Sequence, residues 1–115
     1  MHGLEQIKEN NTTYTYSITI GSNVEDRPTS YHKWLSYQVS LLPIINKYAS
    51  DLHTEANGTG FYKGISEEAY IIVFSMIAGF ENQLIKDLKP LAVKYDQESI
   101  AMVKGLTTFI KGIKS

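Results

Sequence analysis

The chain contains no cysteine, which excludes disulfide bonds, thiol nucleophiles and thiolate metal sites together. Arginine occurs once, as Arg27, and 11 basic residues stand against 12 acidic ones for a formal net charge of -1. A generic polyanion binder needs a surplus or a stripe of cations, so nucleic acid is not an expected partner. No apolar run approaches the roughly 18 residues of a membrane-crossing helix, and no membrane partner is expected. The opening Met1-His2-Gly3-Leu4-Glu5 lacks the basic start and apolar stretch of an export signal. The expected localisation is therefore cytoplasmic, which the missing thiols also fit. Histidine is scarce as well. His2, His32 and His53 stand far apart, with no HExxH or His-x-His spacing, so no metal and no cofactor is expected.

What is present is enough apolar material for one core. At 115 residues and 43% hydrophobic content, the chain reads as one domain able to bury about two thirds of its unfolded surface. Residues 1–12 are polar apart from Leu4 and Ile7 and read as an N-terminal arm ahead of a domain over 13–115. The stretch 13-TYTYSITI-20 alternates strictly, Tyr14, Tyr16, Ile18 and Ile20 on one face and Thr or Ser on the other, which predicts a half-buried strand. A Gly-, Asn-, Asp- and Pro-containing loop follows, ending at Thr29 and Ser30, either of which can cap a helix.

From Ser30 to Leu52 the period changes. Tyr31, Leu35, Val39, Leu42, Ile45, Ala49 and Leu52 recur at three- and four-residue steps and predict an amphipathic helix. Pro43 should kink or split it. Trp34 and Tyr48 fall off that stripe; they widen the core face or, alternatively, stack on a ligand. The run DLHTEANGTG is expected to break the helix, with Phe61, Tyr62 and Ile65 in a short strand and Ser66-Glu67-Glu68 at the following turn. Gly58, Gly60 and Gly64 then serve a twisted, bulged hairpin. The next run, 69-AYIIVFSMIAG-79, is apolar on both faces, so it is either central between two layers or covered by a partner chain. A second helix follows on Phe80, Leu84, Leu88, Leu91 and Tyr95, with Pro90 inside it. A fourth strand is expected at 99-SIAMV-103, and a further short one is open to Leu106–Ile110.

The order β-α-β-β-α-β is that of an α+β, ferredoxin-like sandwich, an antiparallel sheet with two helices on one face. Such a sheet leaves its other face open. The chain resembles a loose set of small phage and bacterial ferredoxin-like proteins of unknown function, on the stretches 18-ITIGSN-23, 60-GFYKGISEEAYIIVF-74 and 95-YDQESIAMV-103. That resemblance implies the fold and a phage accessory setting, and no particular chemistry.

Chemistry is thin in the sequence. GTGFYKG lacks the spacing of a P-loop and is followed by a strand, where a phosphate cradle needs a helix N-terminus. Glu67 and Glu68 are adjacent, so in a strand they point to opposite faces, and in a turn they read as solvated charges. Arg27 follows the first strand, where acylphosphatase-type chemistry would place an anion-binding arginine, but Glu25 and Asp26 oppose it. An open Thr/Ser face suits base stacking poorly. The expectation is a non-enzymatic binding protein: a phage accessory or counter-defence factor that occupies a host protein or sequesters a small anionic, nucleotide-like ligand. Arg27, His32, Trp34, Tyr62, Lys63 and Glu68 are its candidate contacts, and it should be a homodimer or higher homo-oligomer through the sheet. The alternative is a small dimeric ferredoxin-like enzyme with a pocket between sheet and helices.

Overall fold

The computed structural model describes residues 10–105. In chain order these form β1 (Thr13–Gly21), a short ribbon of β2 (Asn23–Val24) and β3 (Arg27–Pro28), α1 (Tyr31–Asn46), β4 (Asp51–Tyr62), β5 (Ile65–Ile77), a 3-10 turn (Ala78–Phe80), α2 (Glu81–Lys94) and β6 (Ala101–Gly105). The sheet order is β4-β5-β1-β6, and every pairing in it is antiparallel. This is the ferredoxin-like arrangement, with both helices on one face. The strand open to Leu106–Ile110 and the arm through residue 9 lie outside the described residues.

Alternation in β1 and β5 sets the core. Register pairs run from Thr13 opposite Ile77 to Gly21 opposite Ala69, so even-numbered residues of both strands share a face. On that face Tyr16, Ile18, Ile20, Ile72, Phe74 and Met76 are buried against the helices. Tyr16 and Phe74 stack with centroids 5.6 Å apart. The opposite face carries Thr15, Ser17 and Thr19 of β1 beside Ile71, Val73 and Ile77 of β5, all half-buried. From Ala69 to Ile77, and along β1, that face has no charged residue.

The helix boundaries expected from sequence need correction. Ser30 caps α1, its hydroxyl accepting from the Lys33 N–H at 3.3 Å, but the helix ends at Asn46, six residues early. Its buried side chains are Trp34, Tyr37, Leu41 and Ile45. Of the stripe read from the sequence, only Ile45 is fully buried, while Tyr31, Leu35 and Val39 are exposed. The helix is apolar over more than half its circumference, and the core takes the face with the larger aromatic area. Neither proline splits its helix. Each lies close to the C-terminal end, and Val39 and Lys86, whose carbonyls lose the bond, sit on exposed flanks where water can replace it.

The run expected to be a loop, 51–60, is most of β4. It pairs with β5 from Asp51 opposite Ser75 to Tyr62 opposite Ile65, with an irregularity between Leu52 and Thr54. Gly58 and Gly60 lie in that strand, without the bulge expected there. The turn is Lys63-Gly64, with φ of 54° and 77°. Positive φ at both central residues is the two-residue hairpin turn whose twist matches its strands. Ser66, Glu67 and Glu68 are therefore strand residues and not the turn. Beyond Ala69 the hairpin continues without β1 beside it.

Replacing fully buried Leu41 by Ala should cost about 3 kcal/mol, whereas Val39→Ala should change stability by less than about 0.5 kcal/mol. Urea denaturation of both variants checks this; equal losses would mean that the sequence stripe, and not the Trp34–Tyr37 face, meets the sheet.

Candidate ligand groove

Because β4 is the outermost strand and α1 turns an apolar flank away from the core, a groove opens between them on the helix side of the sheet. Its widest part is a hollow of about 900 Å³ between Leu42 and Pro43 of α1 and Glu55, Asn57 and Tyr70 of the hairpin. Leu35, Gln38 and Asn57 carry it into a second hollow of about 430 Å³ beside Tyr31, Trp34, Thr59 and Glu68. It closes against Ser22, Pro28 and Thr29. The stretch thus has the dimensions of a small-molecule site, an apolar wall faced by a few polar groups.

The helix wall is stiffened from below. Tyr37 stacks on Tyr95 with centroids 4.7 Å apart, and Trp34 meets Tyr37 edge-on at 6.2 Å. Burial pushes the Tyr37 hydroxyl well above the ordinary tyrosine range. The Tyr95 hydroxyl lies 2.5 Å from Ser36 Oγ, and this bond is the main cause that lowers its pKa.

On the strand wall, Tyr70 donates its hydroxyl to Glu55 Oε2. Burial, and after it the bond to Glu55, raise the Tyr70 hydroxyl to about 12, so it remains a donor at neutral pH. Lys47, at the same end of the groove, is drawn away by Asp87, 3.3 Å from its Nζ. The groove is thus lined by Glu55 and Glu68 against Lys47, an acidic balance.

The end wall depends on a clamp between the loop after β1 and the base of the hairpin. The Asn23 N–H donates to Glu67 Oε2 at 2.8 Å. The Ser22 N–H donates to the Glu68 carbonyl at 2.9 Å, and the Glu68 N–H donates to Ser22 Oγ at 3.2 Å. Ser22 is buried, and the Gln97 amide donates to the Asn23 carbonyl at 3.3 Å. Glu67 lies over Gly21, where an added Cβ would come 2.4 Å from Oε1; glycine leaves room for the carboxylate. A smaller hollow of about 90 Å³ beside this clamp is ringed by Glu25, Asp26, Asp96 and Glu98. Two of these carboxylates are ion-paired, Asp96 with Lys33 at 3.7 Å and Glu98 with Lys63 at 3.8 Å.

Of the residues singled out from the sequence, the groove brings together Trp34 and Glu68. Arg27 is exposed on β3 and His32 is exposed on α1, its ring edge-on to Tyr31 at 6.1 Å. Lys63 sits at the hairpin turn, and Tyr62 is paired with Ile65 beside it. Sequence reading missed Gln38, Glu55, Asn57 and Tyr70. The signal for Glu55 and Asn57 was their alternation with Thr59 within HTEANGTG, which two glycines and an asparagine disguised as a loop.

No protein-family model matches the chain, and no curated protein matches it in sequence. Solved structures do match in fold. A DUF3240 family protein from Shewanella baltica superposes with a TM-score of 0.58 at 11% identity, over 90% of this chain and 99% of that one. A phage SAM lyase in complex with S-methyl-5'-thioadenosine superposes with a TM-score of 0.51 at 20% identity, over 78% of each chain. At these identities the likeness is one of fold.

Both Gly21→Ala, which displaces the carboxylate, and Glu67→Ala, which removes it, should weaken the clamp by about 1 kcal/mol. Amide exchange followed by NMR checks this, with an expected acceleration of roughly fivefold at Asn23; unchanged protection there would show that Glu67 does not hold the loop.

Proposed function

We propose that this protein is a small homo-oligomeric enzyme of lyase type that takes a sulfonium nucleoside of the S-adenosylmethionine (SAM) class into the groove between α1 and the β4–β5 hairpin. The observation that carries the reading is the groove itself: an apolar helix flank with Tyr31 exposed at one end, faced by carboxylates. Aromatic faces and acidic groups attract a cationic, ring-bearing ligand. The same fold serves a phage SAM lyase that is in complex with S-methyl-5'-thioadenosine. The acidic balance favours a cationic ligand over the small anionic one expected from the sequence. Removal of a host's small cofactor also suits the phage accessory setting that the resemblance implies.

Cleavage of such a ligand breaks the bond between sulfur and the amino-acid chain. The bonding pair returns to sulfur, which becomes a neutral thioether, and the carbon it leaves is taken by a carboxylate oxygen of the ligand's own amino-acid chain, closing a lactone with no proton to place. Positive charge on sulfur therefore disappears along the reaction. A carboxylate beside it favours the bound ground state over the transition state, so the acidic groups act in selecting the ligand. The contribution of this chain to rate would come from holding the reacting atoms in line and shielding them from water.

On the face away from the helices, the uncharged strip formed by β1 and residues 69–77 of β5 supports self-association. Ile71, Val73 and Ile77 are half-buried there, and Val103 on β6 is 63% exposed. Covering a half-buried side chain gains about half of the roughly 1.5–3 kcal/mol of full burial, and a two-fold contact needs only a self-complementary patch.

Titration calorimetry with S-methyl-5'-thioadenosine and chromatography of SAM incubated with the protein test the function. Binding and release of the thioether are expected. Binding without turnover would make the protein a sequestering factor, and no binding would remove the nucleoside reading. Native mass spectrometry tests assembly. Val73→Asp should convert an oligomer into folded monomers, and a wild-type mass of one chain at micromolar concentration would overturn self-association.

A further inference from the structure

Glu55 occupies an unusual place for an exposed glutamate. It lies on the outermost strand of the sheet, where a long acidic side chain ordinarily samples many rotamers at little cost. Its register partner is Ile72, while Tyr70 is opposite Asn57; Glu55 and Tyr70 are thus diagonal neighbours on one face, close enough for long side chains to meet. That face is the one that turns toward α1. The Tyr70 ring is buried, and its hydroxyl donates to Glu55 Oε2. A rigid ring rooted in the core therefore fixes the carboxylate of an exposed strand. Only one oxygen is engaged by that bond, and a carboxylate has further acceptor positions on the other.

The other carboxylates of the groove are differently placed. Glu67 accepts from the Asn23 N–H and belongs to the clamp. Glu68 is exposed and lies toward the Thr59 and Trp34 end. Lys47, the cation lining the same widest hollow as Glu55, is paired with Asp87. We infer that Glu55, held in place by the Tyr70 hydroxyl, is the receptor for the positive centre of the ligand and determines the preference of the groove for a cation over a neutral thioether. This rests on the nucleoside reading above and adds to it the residue that reads charge. Glu55 is a specificity residue, and Tyr70 is its positioning residue.

Three probes separate charge from the rest of the ligand. S-adenosylhomocysteine is a neutral thioether at sulfur. Sinefungin keeps the nucleoside and amino-acid ends but carries an ammonium group near that position. S-methyl-5'-thioadenosine lacks the amino-acid chain. Wild-type protein should bind all three, with sinefungin favoured over S-adenosylhomocysteine. Glu55→Gln should reduce that preference about tenfold, the scale of a charge-assisted bond, and leave the affinity for S-methyl-5'-thioadenosine unchanged. Tyr70→Phe should reduce it about threefold, because the carboxylate stays but loses its fixed rotamer. Glu55 is exposed, so thermal unfolding of Glu55→Gln should match wild type and exclude misfolding as the cause.

An unchanged preference in Glu55→Gln, with all three probes still bound, overturns the inference and leaves the nucleoside reading intact. Equal loss of sinefungin and S-adenosylhomocysteine also overturns it, because it would place Glu55 at the amino-acid end. Failure of the wild type to bind any of the three overturns the nucleoside reading and this inference together.

Discussion

The antiparallel pairing of β1 with β5 is the constraint on which the rest of the molecule depends. Its register places Tyr16 opposite Phe74 and Ile18 opposite Ile72, and because side chains alternate, it sends each of these toward the helices. A slip of one residue would exchange Tyr16 and Ile18 for Thr15 and Ser17 if β1 turned over, or Phe74 and Met76 for Val73 and Ser75 if β5 did. No helix could then bury a comparable area. The same register decides that Tyr70 faces α1, that Glu68 shares its side, and that Glu67 lies across the sheet over Gly21. Core and groove are consequences of one pairing.

The groove exists because α1 has more apolar surface than the sheet can cover. Trp34, Tyr37, Leu41 and Ile45 meet the core, and Tyr31, Leu35 and Val39 remain on a flank. Beyond that flank β4 extends the sheet by one strand with no helix above it. An apolar wall on one side and polar strand residues on the other is the composition of many small-molecule sites, and here it arises from a mismatch in width between two helices and four strands. The aromatic layer of Tyr37 and Tyr95 keeps the wall in place, so the groove requires little ordering on binding.

The pair Glu67–Glu68 shows how neighbours in sequence acquire separate tasks. Being in a strand, they face opposite ways. Glu67 closes the clamp with Asn23, and Glu68 remains open to the groove. Two adjacent carboxylates that look equivalent in sequence are divided between the clamp and the groove by a period of two.

The sequence by itself determined the element order, the strict alternation of β1, the two-faced apolar character of β5, and hence the ferredoxin-like class, because these follow from local periodicity. It also made Trp34 and Glu68 visible as candidates. It could not determine which of two apolar stripes on α1 would meet the sheet, since periodicity measures the presence of a face and not the identity of what packs against it. Nor could it reveal β4: HTEANGTG has turn residues throughout and little apolar surface, and it is extended because β5 offers it a long hydrogen-bonding edge. Glu55 and Tyr70 are 15 residues apart in the chain and meet only through that pairing. The charged centre of the groove was therefore decided by tertiary structure, where a non-local ladder outweighed local turn propensity.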